Sequence, residues 1–390
     1  MNLFEDLLQF NLNVYKKKTT DLLNQNVRVA STSGFSTLPW ANVGDMENEG
    51  WELYGNTRDI FKIGKFSMKL RGNIAQNLNT ITKMDASVLA SNNPDYGYSN
   101  GEYMRRVQVG NALGGIYGFR FKGVYAFDYD HNGYFTNDEK NQWYNADGSQ
   151  NTAAAQTDPA LRRSTPIVFD ANGNVVYDKN GNPLPMYFNY GGKSYQFQGG
   201  DAMYEDINHD GNIDELDIVY LGTSNPKING GFGVEFKYDR WTLKTSFNFR
   251  LGNKIINLAR LNAESMVSNS NQSQAVNHRW RKNGQVTTIP RAISSKVTAS
   301  YNSLVSDRYV EPGDFLRFQY FQLSYSVKPE KLKKIGFSSL NISASGNNLI
   351  FWSKYSGVDP EHSCSGMSPC IDNSQTPRSR SFTFSLNFGF

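Results

Sequence analysis

The segment 382–390, FTFSLNFGF, constrains the fold more than any other part of the chain. Phe382, Phe384, Leu386, Phe388 and Phe390 fall on one face of an extended strand, and Thr383, Ser385, Asn387 and Gly389 fall on the other. The first face must meet hydrocarbon or a protein core. The second is too small and polar for the interior of a two-sheet sandwich, but it suits a wet lumen. The contrast recurs upstream. Trp241, Leu243, Thr245, Phe247 and Phe249 alternate with Thr242, Lys244, Ser246, Asn248 and Arg250, and two cations on the second face argue against a dry core. The same reading gives strands through Leu8–Val14, Trp51–Leu53, Phe66–Leu70, Phe232–Tyr238, Phe321–Val327 and Leu340–Ala344.

The connections sort by length. Those near 59–65, 238–240 and 328–336 are short, whereas 16–48, 77–225, 253–314 and 353–378 are long. Tight turns at one end and extended loops at the other are the mark of a transmembrane barrel. The expected fold is therefore all-β: an antiparallel transmembrane barrel portion of about eight strands with long extracellular loops. Strand parity counted back from the C-terminus puts Phe390 at the periplasmic rim. The largest loop region is expected at 77–225.

Composition is compatible with this. Hydrophobic residues make up 38% and aromatics 14% of 390 residues, with mean hydropathy −0.56. A barrel that turns alternate side chains to a polar lumen has such an average, and no apolar run approaches the roughly 18 residues a membrane helix needs. A net charge of +4 without a basic cluster gives no reason to expect nucleic acid as a partner. The residues 1–6, MNLFED, carry no export signal, so the chain is expected to be a piece of a longer outer-membrane protein. With four histidines in unrelated loops and no catalytic constellation, no enzyme is expected.

Two segments have the spacing of a twelve-residue calcium loop. In the first, Asp206, Asn208, Asp210, Asp214 and Asp217 supply side-chain oxygens, Asn212 a carbonyl, Gly211 the sharp turn and Ile213 an anchor. In the second, Asp128, Asp130, Asn132, Thr136 and Glu139 supply side chains and Tyr134 a carbonyl. A water-satisfied Asx-rich turn is the competing reading of each. Bound calcium would stabilise an extracellular loop. The DANGN and DKNGN runs at 170–174 and 178–182 lack a full ligand set and read as hairpin turns. Cys364 and Cys370 sit close together in a Gly/Ser/Pro-containing loop, where a small disulfide, free thiols or a metal site shared with His362 are the alternatives. Lys244 and Arg250 read as a polar lumen wall or as part of a substrate path. The loop aromatics Tyr117, Tyr125, Trp143, Tyr187 and Tyr190 read as packing or as stacking platforms.

An ordered series of runs carries a family resemblance: LFED at 3–6, YKKKTTDLL at 15–23, STSGF at 31–35 and ANVGDMENEGWEL at 41–53. GGD at 199–201 follows, leading into DINHDGNID at 206–214, then GTSNPKINGG at 222–231 and YVEPGDFLR at 309–317. GNNL at 346–349, YSGVDPE at 355–361 and PRSRSF at 377–382 complete it. In this the chain resembles the SusC/RagA-type TonB-linked outer-membrane transporters, over their C-terminal barrel portion. The resemblance implies a barrel of about 22 strands with an N-terminal plug, contact with TonB through that N-terminal part, and a SusD-like surface lipoprotein as partner. Nothing in this chain matches the plug. Phe390, an aromatic ending an alternating strand, matches the barrel-assembly signal of the class. The expected function is a segment of an importer for glycan or peptide nutrients, the alternative a passive calcium-stabilised surface-binding or adhesive barrel.

Overall fold

The structure is a computed structural model that describes residues 2–3, 7–28, 37–85, 108–128, 165–190, 193–267, 271–282, 284–293, 300–332, 336–362 and 369–390. Eight long strands form one antiparallel meander: β1 Leu8–Thr19, β2 Gly44–Thr57, β3 Phe66–Met84, β4 Ile228–Tyr238, β5 Trp241–Leu251, β6 Phe315–Ser326, β7 Ser339–Ser353 and β8 Ser381–Gly389. Each pairs with its sequence neighbours. Asn2–Leu3 adds a short strip beside β1, and Ile60–Ile63 folds onto β3. Among the described residues β1 and β8 do not pair, so the sheet is an open wall, not a closed ring.

Register keeps one parity across the whole wall. Leu12 faces Leu53, Leu53 faces Ile74, and the row continues through Gly230, Phe249 and Leu316. Nearer the short-turn end, Met68, Phe236, Leu243, Leu323, Ala344 and Phe384 form a second row. Because side chains alternate with period two, this register collects the apolar residues on one surface and Lys69, Arg71, Glu235, Lys244 and Asn248 on the other. Phe247 stacks between Phe232 and Phe318, at 4.9 and 4.7 Å between ring centres. The apolar surface is uncovered, with Val14 77% and Phe384 68% exposed. It is flanked by amphipathic rings. Trp241 packs on Tyr325 at the short-turn end, and Trp51 donates its indole N–H to Gln76 (2.6 Å) toward the long-loop end. The 11 residues of β5, at about 3.3 Å each and a tilt of about 40°, rise roughly 25 Å, the height of a lipid-facing band.

Several strands outrun that band. The 19 residues of β3 extend to Met84, so the long connection begins at residue 85, not at 77. Likewise β1 runs to Thr19 and β2 starts at Gly44, which shortens the expected 16–48 loop. The sequence pattern stops early there because the outward positions turn polar: Lys16 pairs with Glu47 at 3.0 Å and with Glu49 at 3.7 Å, beyond the apolar band. In β6 a bulge at Gln319 breaks the alternation, so that Phe321 and Phe318 share the outer face although three positions separate them. Gln319 is held by donating its side-chain amide to Asn348 Oδ1 (2.9 Å).

The buried core lies in the long connections. Ile116, Phe119, Phe188, Phe197, Ile213, Ile256, Leu261 and Tyr309 are almost fully enclosed in one cluster. Short pairings knit the loops together: Gly115–Gly118 with Val219–Thr223, Phe121–Val124 with Ala202–Tyr204, and Lys254–Asn257 with both Val310–Pro312 and Ile371–Asp372. The two faces of the wall carry opposite expectations for a buried-in-lipid charge. In the complete transporter, Phe247→Arg is expected to destabilise the barrel by about 2–4 kcal/mol and deplete the heat-modifiable folded form in outer membranes, while the adjacent Ser246→Arg leaves it near the parental level. Equal depletion by both would overturn the assignment of faces.

Candidate functional site

The inner face of β3, β4 and β5 holds the main recess of the molecule, about 850 Å³ and open to the lumen. Its floor is β4, where Gly231 and Gly233 face inward and leave the backbone bare. A Cβ on Gly233 would lie 2.6 Å from the Thr245 carbonyl and 3.0 Å from Arg71 Nε, so the absence of side chains there creates the depression. Arg71 of β3 lies on one side and Arg250 of β5 on the other, opposite Gly233 and Asn229 respectively. Asn73, Asn248 and Tyr54 add polar groups, and the segment 224–226 with Cys370 forms the roof. No Asp or Glu lines the recess. One row lower, Lys244 and Lys237 share Glu235 (3.7 and 3.2 Å).

The first calcium-loop segment lies in the loop core. Ile213 is fully buried, and Asn212–Ile213 pairs in parallel with Tyr187–Tyr190. Gly211 adopts φ +85°, and a Cβ there would meet Val168 at 2.5 Å, so no other residue fits the turn. Asp206 accepts from the N–H groups of Asp210 (3.3 Å) and Gly211 (2.9 Å). Asn208 donates to Asp210 (2.8 Å), which also accepts from the Asn212 N–H (2.8 Å). Asp214 caps the turn Glu215–Asp217 through the Leu216 N–H (2.8 Å). Asp217 is buried and accepts from the N–H groups of Ile207 (2.7 Å) and Asp214 (3.0 Å). Burial pushes the Asp217 carboxyl up to about 6, and burial, then the charge of Asp210, raises that of Asp206. Among the described residues, none of these carboxylates has a basic partner, and no group of three or more His, Cys, Asp or Glu is arranged around a metal position.

The other expected positions divide. Asp128 accepts from the Gly199 N–H (2.8 Å), whereas Asp130, Asn132, Tyr134, Thr136 and Glu139 lie outside the described residues. Cys370 is buried and disulfide-bonded; Cys364 lies outside the described residues. The runs at 170–174 and 178–182 each form a tight turn in which the leading Asp accepts backbone N–H groups, and the Asn174 and Asn182 amides hold the Asp170 and Asp178 carboxyls below their ordinary range. Tyr117, Tyr125 and Tyr190 are buried, Tyr187 is half-buried, and Trp143 lies outside the described residues. Phe390 rests its ring on Phe337, 5.1 Å between centres.

Sequence reasoning missed Arg71 and a second feature, the buried ion cluster that ties the wall to the loops. Arg317 of β6 pairs with Asp359 (2.5 Å) and Glu361 (2.9 Å), and Glu361 also pairs with Arg378 just before β8 (3.1 Å). Nearby, Glu264 joins Arg260 to Arg308, and Arg260 reaches Glu311. Arg317, Asp359 and Glu361 stand inside two of the family-like runs, the only signal available before the fold brought them together.

No family model matches the chain. It is similar to the TonB-dependent receptor P39 of Formosa agariphila, 29% identical over 397 residues that cover all of this chain and 34% of that protein. It is also similar to the TonB-dependent receptor SusC of Bacteroides thetaiotaomicron, 22% identical across 96% of this chain and 29% of that one. Among solved structures, the RagAB peptide transporter superposes with a TM-score of 0.67 at 16% identity, over the whole of this chain and 34% of the other. The chain thus spans about a third of the length of the curated relatives it matches. Its sheet is a wall portion of this kind of outer-membrane barrel.

Removal of the Arg317 charge leaves Asp359 and Glu361 buried without their main partner. Arg317→Met in the complete transporter is expected to cost about 3–5 kcal/mol, read as earlier urea unfolding and faster proteolysis of the loop cap, with partial recovery in the triple variant R317M/D359N/E361Q. Unchanged protease resistance in R317M would show that the cluster does not hold the cap.

Proposed function

Taking the chain as a barrel portion of the SusC/RagA type, we propose that it forms lumen wall and outer cap of an importer for glycan or peptide fragments, energised through TonB and working with a SusD-like surface lipoprotein. The observation that carries this reading is the one-sided wall: an apolar surface of lipid-band height backed by a polar recess under a packed loop cap. A passive adhesive barrel needs the cap but has no use for a recess on the lumen side. Deletion of the gene that encodes the chain is expected to abolish uptake of a labelled glycan or peptide fragment that the intact strain accumulates, and loss of TonB is expected to do the same. Accumulation that persists without TonB would sink the reading.

The segment 206–217 we assign to calcium, as a structural ion of the cap. Four carboxylates crowd one turn without a basic neighbour, and a divalent cation would relieve both their repulsion and the burial of Asp217. The sign of the pH dependence follows. A folded-state value of about 6 for Asp217, above the ordinary 3.8, means the metal-free cap is favoured at low pH, and that this stability is lost as pH rises from about 4 through about 6. Calcium protection is therefore expected to be largest above pH 6 and to shrink toward pH 5. Limited proteolysis of the cap with calcium or with a chelator reads this directly, and Asp210→Ala should erase the difference. Identical cleavage rates with and without calcium at pH 7.5 would refute the assignment.

A further inference from the structure

Arg71 and Arg250 differ from the other cations around them. Lys244 and Lys237 are neutralised by Glu235, and Arg317 by Asp359 and Glu361. Among the described residues neither Arg71 nor Arg250 has a carboxylate partner, although both line the same recess. They stand roughly 13 Å apart along the strand direction, four residues at about 3.3 Å each. His362, also on the lining, has Asp372 behind it at 3.5 Å and Gln375 at 2.9 Å; Asp372 is further engaged by the Tyr355 hydroxyl (2.6 Å). The carboxylate nearest the recess is thus turned away from its opening. A second observation is independent of charge: Asn248 Oδ1 is buried on the recess wall, and no donor among the described residues reaches it. An unsatisfied buried acceptor beside two uncompensated guanidinium groups fits a ligand that brings both an anion and a hydroxyl or amide donor.

We infer that the recess binds an anionic group of the cargo, a carboxylate or sulfate ester, with Arg71 and Arg250 as its cationic contacts and Asn248 accepting from a neighbouring hydroxyl or N–H of the same molecule. The inference rests on the import reading and deepens it by giving the cargo a charge. Arginine is suited to the task because its planar fork stays charged and meets carboxylate or sulfate oxygens two at a time. The glycine floor leaves room for such an approach, since side chains at 231 and 233 would fill the space.

The test uses the full-length transporter in detergent with Ser246→Cys, a position on the recess wall. A sulfonate-bearing methanethiosulfonate should modify this thiol faster than a trimethylammonium-bearing one, by on the order of tenfold relative to a free thiol. The bias should vanish in R71Q/R250Q, fall in each single Gln variant, and persist in R71K/R250K. Tetragalacturonate or tetraglutamate should slow labelling, and which of them does so separates a glycan from a peptide source; fully methyl-esterified tetragalacturonate should not. An absent bias, a bias that survives R71Q/R250Q, protection by neither acid, or a thiol closed to both reagents because the rest of the transporter covers it, would each overturn the inference. TonB-dependent accumulation that continues alongside any of these results leaves the import reading standing and removes only the anion site.

Discussion

In hydrocarbon no water is available to satisfy a backbone amide, so each strand of the wall must find all its hydrogen bonds on its neighbours. From Leu8 to Phe388 this produces a continuous antiparallel register, and everything else in the wall follows from it. Once the register is set, parity decides which residues meet lipid and which meet water. Lys69, Arg71, Lys244 and Arg250 can be carried by lipid-spanning strands only because they fall on the odd side of that pattern. The lumen chemistry is in this sense a by-product of backbone desolvation, sharpened at Gly231 and Gly233, where missing side chains convert a polar surface into a recess.

Burial in this molecule is inverted relative to a water-soluble domain. The strands display their Phe, Leu and Trp side chains outward, and the enclosed aromatic cluster of Phe119, Phe188, Phe197, Tyr204 and Tyr309 lies in the connections. The connections behave as a small folded body because three of them share strand pairings around Lys254–Asn257. Arg317 couples the body to the wall. Its charge is placed by β6 and answered by Asp359 and Glu361 from the connection that leads to β8, so the cap is oriented by an ion cluster as well as by packing.

What could be read in advance was whatever has a period. The faces of 241–250 and 382–390 follow from alternation alone, and the sorting of short and long links follows from where alternation stops. The reading failed where periodicity fails: at the polar extensions Lys16–Thr19 and Asn77–Met84, where outward residues are no longer apolar, and at Gln319, where one extra residue reverses the phase. Tyr117 and Tyr125 could equally have been platforms or packing, because an irregular loop gives no period to distinguish them; their burial decides for packing. Arg250 was visible as an inward cation, but its pairing with Arg71 was not, since 179 positions and a third strand separate them.

The bulge at Gln319 also bears on how such a chain can change over time. Loops at one end of the wall hang outside the register, so insertions and deletions there leave every strand residue facing as before. A single inserted residue within a strand would instead send the whole remainder of that strand through the sheet, placing arginines in lipid and phenylalanines in water. At Gln319 one odd residue is absorbed locally, through a side-chain bond to Asn348, without that reversal. Length variation among related walls should therefore be concentrated in the cap, and where it enters a strand it should bring its own bulge.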